Sequence, residues 1–188
     1  MNKEKAKKAV TNLLEAIGED TTRSGLIDTP ERVADMFSEI LSGFYEEKEN
    51  KQAKINFFDE KFGDMIIVRD IEFHSMCEHH LLPFYGVVHI CYIPSSNNLL
   101  GISQLARIVE TQARRLTIQE NMTTSIADLL DNQARAIGAA VIIEATHTCM
   151  TMRGVKKTTA KTMTSSLRGM FLKDAALRAE AMTLLLKK

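Results

Sequence analysis

The chain predicts an α+β fold, an antiparallel sheet of two strand pairs with two helices between the pairs and an N-terminal helical extension ahead of them. Three observations predict it. Apolar residues recur at helical spacing in 3–17, 28–41 and again beyond residue 103. β-Branched and aromatic residues concentrate in 65–74 and 84–93, and a further pair of strand-like runs occupies 139–149 and 158–168.

Ala6, Val10, Leu13, Leu14 and Ile17 place one apolar stripe on a first helix over 3–17, with Gly18 as its stop; the stripe needs a partner surface. The run DTPERV at 28–33 reads as a helix start, with Thr29 as cap, Pro30 in the first turn and Arg32 held near the helix N-terminus. That helix is expected to reach Leu41, with Gly43 closing it. The mixed, charged stretch 45–62 marks a boundary, dividing an extension over 1–62 from a core over 63–188.

Strands over 65–74 and 84–93 are joined by CEHHLLP at 77–83, a hairpin loop. From Ser103 the period becomes helical, with Leu105, Ile108, Val109, Gln112 and Leu116 on one stripe, and a second helix carries Ile126, Leu129 and Leu130. Between them IQEN at 118–121 is a junction able to present side chains to a ligand. The second strand pair turns at MRGV, 152–155, and a final helix over 173–187 ends in lysines suited to its negative terminus. Helices cover one face of such a sheet and leave the other face and both edges in need of cover, so association through the sheet is expected.

Among 188 residues, lysine plus arginine and aspartate plus glutamate number 24 each, which gives no charge-based reason to expect nucleic acid or a membrane surface as partner. Three cysteines placed near histidines argue for a reducing compartment. With no apolar signal core and no membrane-length apolar run, a soluble cytoplasmic protein is the expectation.

The densest chemistry is a separated set of soft donors. Cys77 and His80 lie three apart in the hairpin loop, and Cys149 lies on the late strand run. Two thiolates and one imidazole suit a tetrahedral zinc ion with its fourth position open to water, whose pKa such an ion lowers toward neutrality. On an extended strand His147 and Cys149, two apart, would share a face and bring a second imidazole to the metal as a proton shuttle. Cys91 sits in the apolar run VVHICYI at 87–93 and reads as packing; His74 and His89 have no ligand-like neighbourhood.

The motifs SMCEHHLLPFYG at 75–86, YIP at 92–94, GISQLARIV at 101–109, RLTIQE at 115–120 and HTCMTMRGV at 147–155 resemble the GTP cyclohydrolase I family, with GLIDTPERV at 25–33 and TMTSSLRG at 162–169 extending the match. The resemblance implies the tunnelling fold (T-fold), assembled as a ring oligomer, a homodecamer of two pentameric rings with active sites at subunit interfaces. It implies zinc held by Cys77, His80 and Cys149, with His79 and His147 as the proton-transfer pair. Gln119 and Glu120 would then reach the guanine, and Ser103, Arg107, Arg153 and Arg32 would face the triphosphate of GTP. The implied reaction opens the guanine imidazole ring by hydrolysis, releases formate and forms 7,8-dihydroneopterin triphosphate.

Some positions depart from the family pattern. Gln104 stands where lysine is usual, Thr117 and Asn121 replace glutamine and arginine, and the proline turn usual within 132–140 is absent, so the preceding helix is expected to run on. Loss of the lysine charge predicts weaker triphosphate binding. The alternatives are an altered-substrate pterin or deazapurine enzyme on the same fold, or a ring protein that binds guanine nucleotide without turnover.

Overall fold

The computed structural model describes residues 1–48, 57–58, 63–95 and 99–187. Most of the boundary stretch 45–62 thus lies outside the described residues. Three helices lead the chain: α1 (Lys3–Ala16), α2 (Thr29–Ile40) and α3 (Ser42–Lys48). Asn2 caps α1 by accepting from the Lys5 N–H, and Gly18, at φ 86°, takes the left-handed turn after it. α1 buries none of its own residues and leans on α2, where Lys7, paired also with Glu4 of its own helix, meets Glu31 and Lys3 meets Asp35.

Two expectations need correction here. Asp28, not Thr29, occupies the N-cap of α2, and Thr29 is already helical. Gly43 does not end a helix but lies within α3, where an added Cβ would sit 2.2 Å from the Thr111 carbonyl oxygen. Its role is close approach between two backbones, which leaves no more sequence trace than a stop glycine does.

The core is a five-stranded sheet. Its strands are β2 (Ile66–Cys77), β3 (Pro83–Ile93), β5 (Leu116–Thr117), β6 (Gly138–His147) and β7 (Thr162–Gly169), in spatial order β5-β2-β3-β6-β7. A separate short pair joins β1 (Phe57–Phe58) to β4 (Leu99–Leu100). All neighbours in the main sheet are antiparallel except β2 and β5, which run parallel at Met76 and Cys77. Leu116 therefore belongs to a strand at the sheet edge and not to the helical stripe expected for it.

Helices α4 (Ile102–Ala113) and α5 (Gln119–Asn132) cover one face. Leu105, Ile108, Val109, Met122, Ile126 and Leu130 pack there on Phe73, Phe84, Val88, Ile90, Tyr92, Val141 and Ile143. Each large side chain fully removed from water contributes about 1.5–3 kcal/mol. α5 stops at Asn132, and Arg135 turns the chain at φ 50°, so the helix does not run on despite the missing proline. The final helical segment is broken by Asp174 into α7 (Met170–Lys173) and α8 (Ala175–Leu186), because that carboxylate caps α8 by accepting from the Ala176 and Leu177 N–H groups. α8 folds back over one end of the second sheet face, against Cys91, Ile93, Ala140 and Ile142, supplying from within the chain part of the cover expected from a partner. Among the described residues no helix is long and apolar enough to cross a membrane.

One irregularity sets which way β2 faces. Val68 pairs with Ile90 and Ile71 with Val88, so β2 spends three residues where β3 spends two. The bulge at Arg69 and Asp70 changes the inward set from Ile66 and Val68 to Ile71, Phe73 and Cys77. Asp70 takes φ 58°, and its N–H donates to Nδ1 of buried His89 at 3.1 Å.

Candidate metal centre and active site

Cys77 ends β2, His80 follows in the turn and Cys149 lies past the end of β6. β3 lies between β2 and β6, so strand pairing alone spans the 72 positions separating the two cysteines. The expectation that His147 and Cys149 share one extended strand is corrected: β6 ends at His147, and Thr148–Thr151 form the short helix α6. Thr148 holds that turn by donating its hydroxyl to the Pro83 carbonyl at 2.6 Å. Cys149 still reaches the site, carried by a helical turn instead of the pleat.

The donor atoms of Cys77, His80 and Cys149 all lie within 4.8 Å of one another, with Cys77 Sγ 3.9 Å from His80 Nδ1. Tetrahedral ligands on zinc stand about 3.3–3.8 Å apart, given metal–ligand bonds of about 2.0–2.3 Å. The set fits a divalent ion with little adjustment. Its electrostatics point the same way: burial, then the neighbouring Cys77, push the Cys149 thiol up, since two thiolates so close repel. A cation between them reverses that balance.

A cavity of about 240 Å³ opens on these donors and is lined also by His79, His147 and Glu120. Phe84, Thr117 and Ile118 form its floor and wall. His147 is directly opposite Phe84 in the β3–β6 register, and the two rings stack at 4.7 Å and 3°. Burial lowers the His147 pKa, with Glu120 acting weakly the other way. His79 is exposed beside Glu78.

Residues 6–186 match the family model for GTP cyclohydrolase I. The chain belongs to the GTP cyclohydrolase I family. GTP cyclohydrolase 1 of Clostridioides difficile (strain 630) is 50% identical over 188 residues, covering 100% of this chain and 98% of that one. The Thermoanaerobacter pseudethanolicus relative of the same name is 50% identical over 188 residues, covering 100% and 99%. GTP cyclohydrolase 1 of Bacillus subtilis (strain 168) is 50% identical over 183 residues, covering 97% and 95%.

Within this cyclohydrolase-family chain the residues singled out from sequence divide into two groups. Cys77, His79, His80, Glu120, His147 and Cys149 meet at the cavity. Ser103 and Arg107, on the outer face of α4, Arg153 in the turn after α6, and Arg32, which pairs with Asp28 at 3.1 Å, are exposed and do not line it. Gln119 borders neither solvent nor cavity: it is 1% exposed, and its side chain turns inward. Gln104 is also buried, at 5% exposed, on the core side of α4. Cys91 is fully buried, its thiol pushed up to about 12 by burial, as its apolar run leads one to expect. His89 serves the bulge, and His74 stacks on Tyr85 at 5.7 Å. Phe84, whose place opposite His147 follows only from strand register, and Thr162 and Thr164, whose contacts with the α5 start follow only from packing, carry no sign of these roles in the motifs that contain them.

Proposed function

We propose that this chain binds zinc through Cys77, His80 and Cys149 and converts GTP to formate and 7,8-dihydroneopterin triphosphate. The observation that carries the reading is the meeting of those three donors in one cavity with His79, His147 and Glu120, in a chain of this family. Zinc bound there supplies a Lewis acid and an acidified water at the carbon to be attacked. The protein's own groups do the rest. The Glu120 carboxylate accepts from the guanine ring N–H and exocyclic amine, fixing the purine by charge-assisted hydrogen bonds. His79 and His147 carry protons to and from the ring nitrogens as carbon–nitrogen bonds break. Cys77, His80 and Cys149 would hold the ion through two sulfurs and one ring nitrogen.

Ser103, Arg107, Arg153 and Arg32 are proposed to hold the triphosphate, arginine's fixed donor fork matching phosphate oxygens. Because Ser103, Arg107 and Arg32 do not line the cavity of their own chain, their role requires neighbouring subunits. This supports a ring assembly, a decamer of two pentamers, with each site completed across an interface. In that arrangement residues 63–188 form the catalytic T-fold core and 1–62 its helical extension.

The test is metal content and formate release from GTP, with the oxidised pterin followed by fluorescence. One zinc per chain and formate production are expected, with both lost in Cys149→Ala. Full turnover by a metal-free Cys149→Ala protein would overturn the assigned donor set.

A further inference from the structure

Gln119 opens α5, buried to 1% exposure, between the core and the cavity wall. Its Nε2 lies 3.0 Å from the Ile143 carbonyl, 3.1 Å from the Thr162 carbonyl and 3.0 Å from Thr164 Oγ1. Two of these three acceptors are backbone oxygens with no hydrogen to give. Reversing the amide would set oxygen against oxygen twice in a buried site, so the backbone itself decides the amide orientation. The hydroxyls extend the order. Thr123 Oγ1 donates to the Gln119 backbone carbonyl at 2.6 Å, so at its 2.6 Å contact with Thr164 it must accept. Thr164 thus gives its one hydrogen to Thr123, and its oxygen accepts from Gln119 Nε2, whose two hydrogens are shared among the three acceptors. Every donor in this closed loop has a single consistent direction.

The amide oxygen is left to face His147, with Gln119 Oε1 2.8 Å from His147 Nε2. An amide oxygen only accepts, so Nε2 must carry hydrogen. We propose that Gln119 is a positioning residue that holds the hydrogen of the His147 imidazole on Nε2 and so leaves Nδ1 as the nitrogen open to the reaction in catalysis. Phe84, stacked on the same imidazole at 3°, fixes the plane of the ring while Gln119 fixes its rotation within that plane. Gln119 acts through His147 and does not touch substrate. The inference rests on the proposed reaction only for the word catalysis; the tautomer stands on the hydrogen bonds alone.

Nitrogen-15 NMR on the zinc-loaded wild-type protein with labelled histidine reads the tautomer without any substitution. A pyrrole-type resonance for His147 Nε2 and a pyridine-type resonance for Nδ1 are expected. The reverse pattern would overturn the proposal. In a Gln119→Met variant, which keeps length and burial but removes the acceptor, the two nitrogens are expected to lose that distinction. Turnover should drop by about tenfold to a hundredfold, the scale of losing a group that orients a working histidine, while KM for GTP stays within about threefold. A raised KM with unchanged kcat would instead place Gln119 on the guanine and defeat the positioning role. Thr164→Val, which removes one acceptor of the Gln119 amide and leaves the Gln119 and His147 side chains in place, supplies the check if Gln119→Met does not fold: it should shift the His147 resonances in the same direction by a smaller amount, and unaltered resonances would count against the loop. A wild-type protein that fills with zinc and yields no formate from GTP would defeat the proposed reaction while leaving the nitrogen signature in place.

Discussion

His89 shows how a histidine outside the chemistry still ties stability to pH. Its Nδ1 accepts the Asp70 N–H, and protonation at that nitrogen removes the bond. Burial lowers its pKa, Asp70 and Glu144 pull it up and Arg69 pushes it down, the net shift being downward. The unfolded chain therefore binds a proton here at a higher pH than the folded one. Stability is whole above the ordinary histidine value, about 6.5, falls as pH drops from there to the lower folded value, and is level beneath it. The melting temperature of the wild-type protein is expected to fall as pH drops below about 6.5, less steeply in His89→Gln. Equal slopes in the two proteins would assign the acid loss to other groups. The same scale shows what residue types conveyed and what they did not. Cys77, His80 and Cys149 were legible because each of these cysteines stands beside a histidine, a pairing of soft donors with few other uses. The inward turn of Gln119 was not, since a glutamine beside a glutamate at a helix start looks the same whether it faces ligand or core.

At the level of elements, close backbone approach is the feature that periodicity hides. α3 passes over the end of α4 so tightly that a Gly43 Cβ would lie 2.2 Å from the Thr111 oxygen and 3.0 Å from the Arg114 oxygen. Backbone atoms cannot swing aside as a side-chain tip can. Gly43→Ala is expected to lose about 1–3 kcal/mol to overpacking, offset in part by alanine's better helix propensity of about 1 kcal/mol. Urea unfolding reads the net change, and an unchanged midpoint would show that α3 moves off α4 at no cost. Strand identities were legible for β2, β3 and β6 because their apolar residues are dense, whereas β7, TMTSSLRG, carries only Met163 and Leu167 and was placed as the partner of β6 across the MRGV turn. The two-residue β5 was not, as its pairing with Met76 and Cys77 is a tertiary contact beneath the length at which pattern can be read. α6 was hidden likewise: HTC fits a strand continuation as well as a helical turn, and the Thr148 bond to Pro83 goes with the turn.

For the whole molecule, among the described residues the sheet order leaves β7 bonded only to β6, and β2 unpaired on its outer side except at Met76 and Cys77. Such edges join readily to further strands. Combined with phosphate-binding candidates that do not line the cavity of their own chain, they make a specific expectation for mixed assemblies. Arg107→Ala and Cys149→Ala proteins, each inactive alone, should regain part of their turnover when dissociated and reassembled together, because some interfaces then combine an intact donor set with an intact arginine. Size-exclusion chromatography with light scattering would verify the mixed particle, and an inactive mixed particle would place Arg107 and the metal donors in the same chain's site.

The extra residue in β2 gives the pleat something like a reading frame. Upstream of Arg69 the inward positions carry even numbers, and downstream of Asp70 they carry odd ones, so Cys77 is in phase with the cavity only because a frame change precedes it. Deleting Asp70 removes the added residue and its compensation together, leaving Ile66, Val68, Ile71, Phe73 and Cys77 in unbroken alternation. Deleting Glu72 instead leaves the bulge standing and sends the sulfur to the opposite side. The shorter chain lacking Asp70 should therefore still load one zinc, and the one lacking Glu72 should not, although the two proteins have the same length.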